Sequence, residues 1–294
     1  MKKVKVGKAV GSVLAHDITR IVPGKFKGVG FKKGHIVAAD DIPELLKLGK
    51  RHLYVLNLSD AQMHEDEAAL AIAEAIGSET IRWTNPSEGK SSLIARQSGL
   101  LKINVSALLR INKLENIIVS TRRTDFACEK DQIVAATRII PLTIARNKID
   151  RLKAIAAKGG PVVNVMPFRK MKVGAVVTGS ELADGLIEDE FDRFVGRKIE
   201  TYGSRVVKKV LVTDDSDLIA AAILKLVQSG CDLVVTTGGL SVDPDDVTRS
   251  GIKKTGAKVL AYGTPVLPGA MFLYARLHNV PVMGLPACVY FHPS

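Results

Sequence analysis

"VVKKVLVTDDSDLIAAAILKLVQSGCDLVVTTGG", residues 206–239, decides the fold of the carboxy-terminal part of this chain. Its two ends, VVKKVLV (206–212) and CDLVVTT (231–237), are short β-branched runs that read as strands. Between them Leu218, Ile219, Ala222, Ile223, Leu226 and Val227 recur at the i, i+3, i+4 spacing of an amphipathic helix. Ser216 suits its N-cap and Gly230 the position after its last turn. Strand, helix and strand in that order make a right-handed βαβ unit.

The neighbouring stretches extend the pattern. KVGAVVT (172–178) is nearly continuous in apolar residues, as a strand of a parallel sheet covered on both faces should be. DDVTRSGIKKTG reads as a short helix with carboxylates at its start and Lys253-Lys254 near its end, the order the macrodipole favours. KVLAYG is a further strand, and MFLYARLHNVPVMGLP reads as two strands joined at His278-Asn279. An α/β domain over residues 166–294 follows, its sheet mainly parallel. Ligands of such sheets sit beyond the carboxyl ends of the strands. Thr178-Gly179, Asp214-Asp215 and the loop from Thr237 to Asp246 all fall there.

Residues 1–165 are less regular and read as an α+β region of two small lobes. DDIPELLKLGK is a compact helix with Asp at the cap, Pro43 in the first turn and Gly49 after the last; RHLYVLNL follows as a strand. HEDEAALAIAEAIG is a second helix, residues 88–141 alternate strand-like pieces with turns, and LTIARNKIDRLKAIAAKGG is a third helix. Gly159-Gly160-Pro161 places the inter-domain linker near residues 159–171.

Charge divides the chain in the same place. The net +12 is made of +13 in residues 1–170 and −1 in residues 171–294. The basic pairs Lys32-Lys33, Lys50-Arg51 and Arg122-Arg123 lack interleaved aromatics, so they read as a solvated surface rather than a nucleic-acid face. Cys128, Cys231 and Cys288 form neither a disulfide framework nor a C-x-x-C motif, which suits a cytoplasmic protein. The start lacks a signal-peptide core, and the uncharged run 259–275 is broken by Pro265, Pro268, Gly263 and Gly269, so no membrane segment is expected. GVGFKKG near residue 28 has the wrong spacing for a dinucleotide loop, no G-x-x-x-x-G-K-[ST] exists, and the six histidines show no zinc spacing. They read as solvated or capping groups. Ser180 lacks the G-x-S-x-G elbow of a nucleophile.

The loop VVTTGGLSVDPDDVT (234–248) carries the chemistry. Bare glycine amides suit an anion, whereas the three aspartates 243, 245 and 246 repel one. A helix cap needs one aspartate only, and Asp214-Asp215 stand at the neighbouring strand end. Carboxylates from two strand ends can share Mg²⁺, which joins protein carboxylates to substrate phosphates. The glycines then hold a phosphate or polar ring edge while the aspartates address it through the metal.

VVTTGGLSVDPDDVT resembles the T-G-G-x-S-V-x-x-x-D signature of the molybdopterin-binding domain of molybdenum-cofactor biosynthesis proteins. VGAVVTGSEL is similar to that family's strand followed by T-G-[DN]-E-L, LVTDDSDLI to its V-x-D-D-x-x-x-I, and PVLPGAMFLYARLHNVPVMGLPA to its P-G…G-L-P ending. The resemblance implies a three-layer α/β/α domain and leans toward the molybdotransferase branch, which inserts molybdate into adenylylated molybdopterin. VGSVLAHDI is similar to that branch's opening element. Carried over to this chain, Thr178, Gly179, Glu181, Thr237, Gly238, Gly239 and Ser241 line the pterin and phosphate site, with Pro268, Gly269 and Pro286 shaping its wall. Asp214, Asp215 and Asp246 are the candidate catalytic carboxylates, and with Asp243 the candidate ligands of Mg²⁺. A homo-oligomer and molybdoenzyme clients are the implied partners.

The departures favour binding over turnover. The family's P-G-K-P is PGAM here and its G-L-P-G-N-P is GLPACV; Ser180 replaces the acidic or amide residue of T-G-[DN]-E-L, and the usual further β domain has no counterpart within these residues. A non-catalytic cofactor carrier is therefore a second expectation. A nucleotide amidase or pyrophosphatase of the competence-damage type, which shares TGGL…DD-x-T, is a third, with SVD in place of its G-P-T.

Overall fold

The computed structural model describes the chain except residues 1, 23–25, 57–60, 88, 184–185, 187, 241–246 and 292–294, and the side chains of residues 22, 26, 181 and 183. It divides into two compact units, Met1–Pro167 and Phe168–Ser294.

The amino-terminal unit is mostly strands. Strands β1 (Lys2–Lys5), β2 (Val13–Leu14), β3 (Ile18–Val22) and β4 (Phe26–Phe31), helix α1 (Asp41–Lys47) and β5 (His52–Leu56) come first. They form the antiparallel sheet β1-β5-β2 and the β3-β4 hairpin around Leu14, Ile18, Phe31, Leu45 and Val55. Strand alternation explains β5, where Leu53 and Val55 are buried while His52 and Tyr54 are exposed. The GVG of GVGFKKG lies inside β4, so that stretch is strand, followed by a turn.

Next come β6 (Gln62–His64), α2 (Glu65–Ile76), β7 (Ile81–Trp83), β8 (Lys90–Ala95), β9 (Gly99–Ile103), α3 (Val105–Asn112) and β10 (Ile117–Thr121). The unit closes with β11 (Phe126–Cys128), β12 (Ile133–Ile139), β13 (Thr143–Ala145), α4 (Arg146–Ala157) and β14 (Val163–Pro167). Sheets β10-β12-β8-β7 and β11-β9-β14 and the pair β13-β6 share one core, into which α2 sends Ala68, Ile72 and Ile76 and α4 sends Ile149 and Leu152. Three features differ from the sequence reading. Helix α3 stands where only strands and turns were expected, Thr143–Ala145 is a strand rather than the first turn of α4, and Gly159–Pro161 turns into β14. The exposed connection between the units is therefore short and lies at residues 168–171.

The carboxy-terminal unit contains β15 (Lys172–Thr178), α5 (Ser180–Ala183), a π-helical turn (Asp192–Gly196) running into α6 (Arg197–Thr201), and β16 (Arg205–Val212). After these come α7 (Ser216–Gln228), β17 (Leu233–Thr237), α8 (Thr248–Lys254), β18 (Lys258–Tyr262), β19 (Leu273–Leu277), β20 (Val280–Leu285) and a 3₁₀ turn (Ala287–Tyr290). One six-stranded sheet runs β16-β15-β17-β20-β19-β18. Its first four strands are parallel, and only β19 runs against its neighbours. The crossover through α7 passes over β15, which separates β16 from β17.

Two cores, one on each face, make the domain a three-layer α/β/α sandwich. Val173, Ala175 and Val177 of β15 face Phe191, Val195 and Val289, whereas Val176 faces Ile219, Ile223 and Leu226 of α7 and Ile252 of α8. Gly174 points to the α7 side, where a Cβ would stand 3.0 Å from both Leu226 Cδ1 and Cys231 Sγ. Burial from Val173 to Thr178 explains the continuous apolar run, while the edge strand β16 leaves Lys208 and Lys209 exposed. Helix α7 is capped by Asp215, not Ser216, and Gly230 follows its end at φ +81°.

Candidate functional site

The carboxyl ends of β15 and β17 are tied together by threonines. Thr178 is buried, its Oγ1 donates to the Thr237 carbonyl at 3.1 Å and lies 3.3 Å from Thr248 Oγ1. Gly179 N–H donates to the Val212 carbonyl, joining β15 to β16. Over this cluster runs the glycine pair. Gly238, at φ +89°, leaves no room for a side chain, because a Cβ would stand 2.5 Å from the Thr178 carbonyl and 2.6 Å from its hydroxyl. A Cβ at Gly239 would stand 2.6 Å from Thr248 Oγ1. Neither glycine N–H donates to an acceptor among the described residues. Two free amides at the edge of a parallel sheet are a site for an anion.

Both described aspartates are committed within the fold. Asp214 Oδ2 accepts from Ser180 N at 3.0 Å and Ser180 Oγ at 3.3 Å, tying α5 to the end of β16. Asp215 Oδ1 accepts from Leu218 N at 3.0 Å and Asp217 N at 2.7 Å. These amides hold the Asp215 carboxyl below the ordinary carboxylate value. Among the described residues no group of three His, Cys, Asp or Glu is placed to hold a metal ion. In each aspartate the second carboxylate oxygen, Asp214 Oδ1 and Asp215 Oδ2, has no hydrogen-bond partner among the described residues. Ser241, Asp243, Asp246 and the Glu181 side chain lie outside the described residues.

Thr178, Thr237 and Gly238 line a cavity of about 190 Å³ together with Glu188, Asp189, Glu190 and Tyr290. Tyr290 is part of the 3₁₀ turn and its hydroxyl donates to Thr237 Oγ1 at 3.0 Å; burial pushes that phenol up. Asp189 is paired with Lys209 at 2.6 Å, and Lys209 also meets Asp192. Burial alone would lower the Lys209 ammonium, but the hydrogen bonds it donates to Asp189 and Asp192 outweigh it and raise the group. Pro268, Gly269 and Pro286 line a separate cavity of about 250 Å³ with Thr264, Phe272 and Leu285. The turn after β20 separates the two, with Ala287 in the first and Val289 in the second.

The fold thus brings Thr178, Thr237 and Gly238 to one cavity, whereas Pro268, Gly269 and Pro286 line another. Sequence reasoning missed Glu188, Asp189, Glu190, Lys209 and Tyr290. The run EDEFD (188–192) held the signal: acids on either side of an apolar residue, Phe191, which is fully buried.

A sheet of this topology is that of an open α/β domain, and its carboxyl edge, where such domains take ligands, carries a small cavity and two glycine amides without partners among the described residues. Residues 174–291 match the family described as a probable molybdopterin binding domain. Residues 3–57 match a domain of unknown function (DUF8806). A molybdopterin molybdenumtransferase of Haemophilus influenzae is 31% identical over 132 residues, 42% of this chain and 32% of that protein. A CinA-like protein of Thermotoga maritima is 39% identical over 89 residues, 29% of this chain and 21% of that protein. The matches span about a third or less of these relatives' length. The crystal structure of the tungsten cofactor synthesizing protein MoaB from Pyrococcus furiosus is similar at 25% identity and a TM-score of 0.35, over 41% of this chain and 84% of that one. No helix among the described residues is long and apolar enough to cross a membrane.

Proposed function

We propose that the carboxy-terminal domain binds molybdopterin or its adenylylated form at the carboxyl edge of β15 and β17 and serves molybdate insertion. The observation that carries this reading is the glycine pair pressed onto Thr178 and Thr248, with its two amides free of partners among the described residues. Those amides take the ligand's phosphate, where fixed donors in a dry edge are worth most. Glu188 and Glu190 accept from the N–H edge of the pterin ring, and Tyr290 holds Thr237 in place. Asp214 positions α5 through Ser180.

The test is equilibrium binding of molybdopterin and of adenylylated molybdopterin to the full chain, followed by product analysis with molybdate. Tight binding with molybdenum transfer supports the whole reading; tight binding without transfer leaves a carrier; no binding overturns it. The similarity to CinA-like proteins favours one alternative, a nucleotide amidase or pyrophosphatase. Turnover of nicotinamide mononucleotide in the same assay would select it.

A further inference from the structure

The amino-terminal unit holds a polar cavity of about 470 Å³, walled by Asp17, Val29, Lys33, Glu65, Arg138 and Leu142 among others. Glu65 opens α2 and is only 7% exposed, yet its carboxyl makes no hydrogen bond or ion pair among the described residues. Two glycines leave it its space. A Cβ at Gly34 would stand 3.1 Å from Oε1, and one at Gly89 would overlap the carboxyl group. Beside it lies the buried ring of His64. Its Nδ1 accepts from Asp66 N at 3.3 Å, so the ring proton is on Nε2, and this buried Nε2–H has no partner among the described residues. Nε2 faces the same point as Glu65 Oε1, 3.2 Å from where a Gly34 Cβ would be.

A buried imidazole N–H without a partner among the described residues costs free energy that the fold alone does not return, and the Glu65 carboxyl beside it is open only to the cavity. The macrodipole favours acids at a helix start, but Asp66 and Glu67 already fill that turn with half-exposed side chains. Above this floor the Lys33 ammonium and the Arg138 guanidinium are exposed and form no salt bridge among the described residues. Lys33 is held in position through its backbone, whose N–H donates to Asp17 Oδ1 at 2.6 Å. Burial, assisted by Asp66 and opposed by His64, Arg138 and Lys33, pushes the Glu65 carboxyl up, toward the neutral form that tolerates an anion.

We propose that this cavity binds a small organic oxyanion, a carboxylate or a phosphate monoester, whose charged end meets Arg138 and Lys33 over the floor of Glu65, with His64 buried beside it, while its body lies on Val29 and Leu142. Unpaired cations above buried donors select an oxyanion, and the apolar wall selects one carried on carbon.

Calorimetric titration of the full chain with inorganic phosphate, phenyl phosphate and benzoate tests this. Saturable 1:1 binding is expected, tighter for one of the two aromatic anions than for inorganic phosphate, and that one identifies phosphate or carboxylate as the natural head group. Arg138→Gln and Lys33→Gln should each weaken it by about tenfold, the usual effect of losing one charge-assisted hydrogen bond, without a change in melting temperature. Lys225→Gln, an exposed change on α7, should leave it as it was. Glu65→Gln should bind at least as tightly as the parent. Three results would overturn the proposal: no saturable binding of any probe, an equal loss in Lys225→Gln, or a folded Glu65→Gln that no longer binds.

Discussion

Gly238 and Gly230 share a left-handed backbone and differ in what surrounds them. Nothing lies within 4 Å of a Cβ at Gly230, so Gly230→Ala carries only the conformational cost, about 1 kcal/mol, and should leave ligand binding alone. Gly238→Ala adds the collision with Thr178 and should cost clearly more in urea denaturation while abolishing molybdopterin binding. Asp215 separates a cap from a metal ligand. Asp215→Asn should keep the cap, because asparagine caps as well, whereas Asp215→Ala should remove it and lower the melting temperature. Its depressed carboxyl stabilises the fold above the ordinary value of 3.8 and loses that contribution as pH falls below it, so Asp215→Asn should flatten the acid limb of stability. Glu65 has the opposite sign. Its raised carboxyl binds its proton more tightly in the folded state, so stability declines as pH rises upward from 4.5, and Glu65→Gln should remove that decline. Melting temperatures across pH 3–8 check both.

At the scale of elements, the parallel core was legible because burial on both faces writes continuous apolar runs, as in β15, and because α7 carries a full amphipathic stripe. Helix α3 was not. Val105, Ala107, Leu109 and Ile111 alternate as a strand would, and only the Asn104 side chain, accepting from Ala107 N at 3.0 Å, turns the segment into a helix. The site was legible where glycines and threonines form one motif. It was not where its wall comes from distant segments, as Asp189 and Tyr290 do, with Lys209 of β16 holding Asp189 from behind. Packing between elements gives its own test at Gly174. Gly174→Ala places a methyl 3.0 Å from Leu226 Cδ1 and Cys231 Sγ, and overpacking of this kind costs about 1–3 kcal/mol. Leu226→Ala should cost about 2–5 kcal/mol by itself. Combined with Gly174→Ala it should cost less than the sum, since the cavity of one change accepts the methyl of the other.

At the scale of the whole molecule, the two compact units differ in sheet architecture and in charge. The exposed residues Arg169 and Lys170 fall in the short connection, so trypsin should cut there first and release a carboxy-terminal fragment that keeps its circular dichroism, its two cores being complete without the other unit. That fragment then serves as the reference for the charge asymmetry. The +13 of residues 1–170 sets up a field that would draw the phosphorylated pterin proposed as ligand, and fields act on encounter more than on the bound state. Stopped-flow association should be faster for the full chain than for the fragment at low salt. The advantage should shrink toward physiological ionic strength, where the screening length is about 8 Å, while dissociation rates stay alike. Equal association rates for chain and fragment at every salt concentration would remove the basic unit from ligand capture and leave its charge to the oxyanion cavity around Arg138 and Lys33.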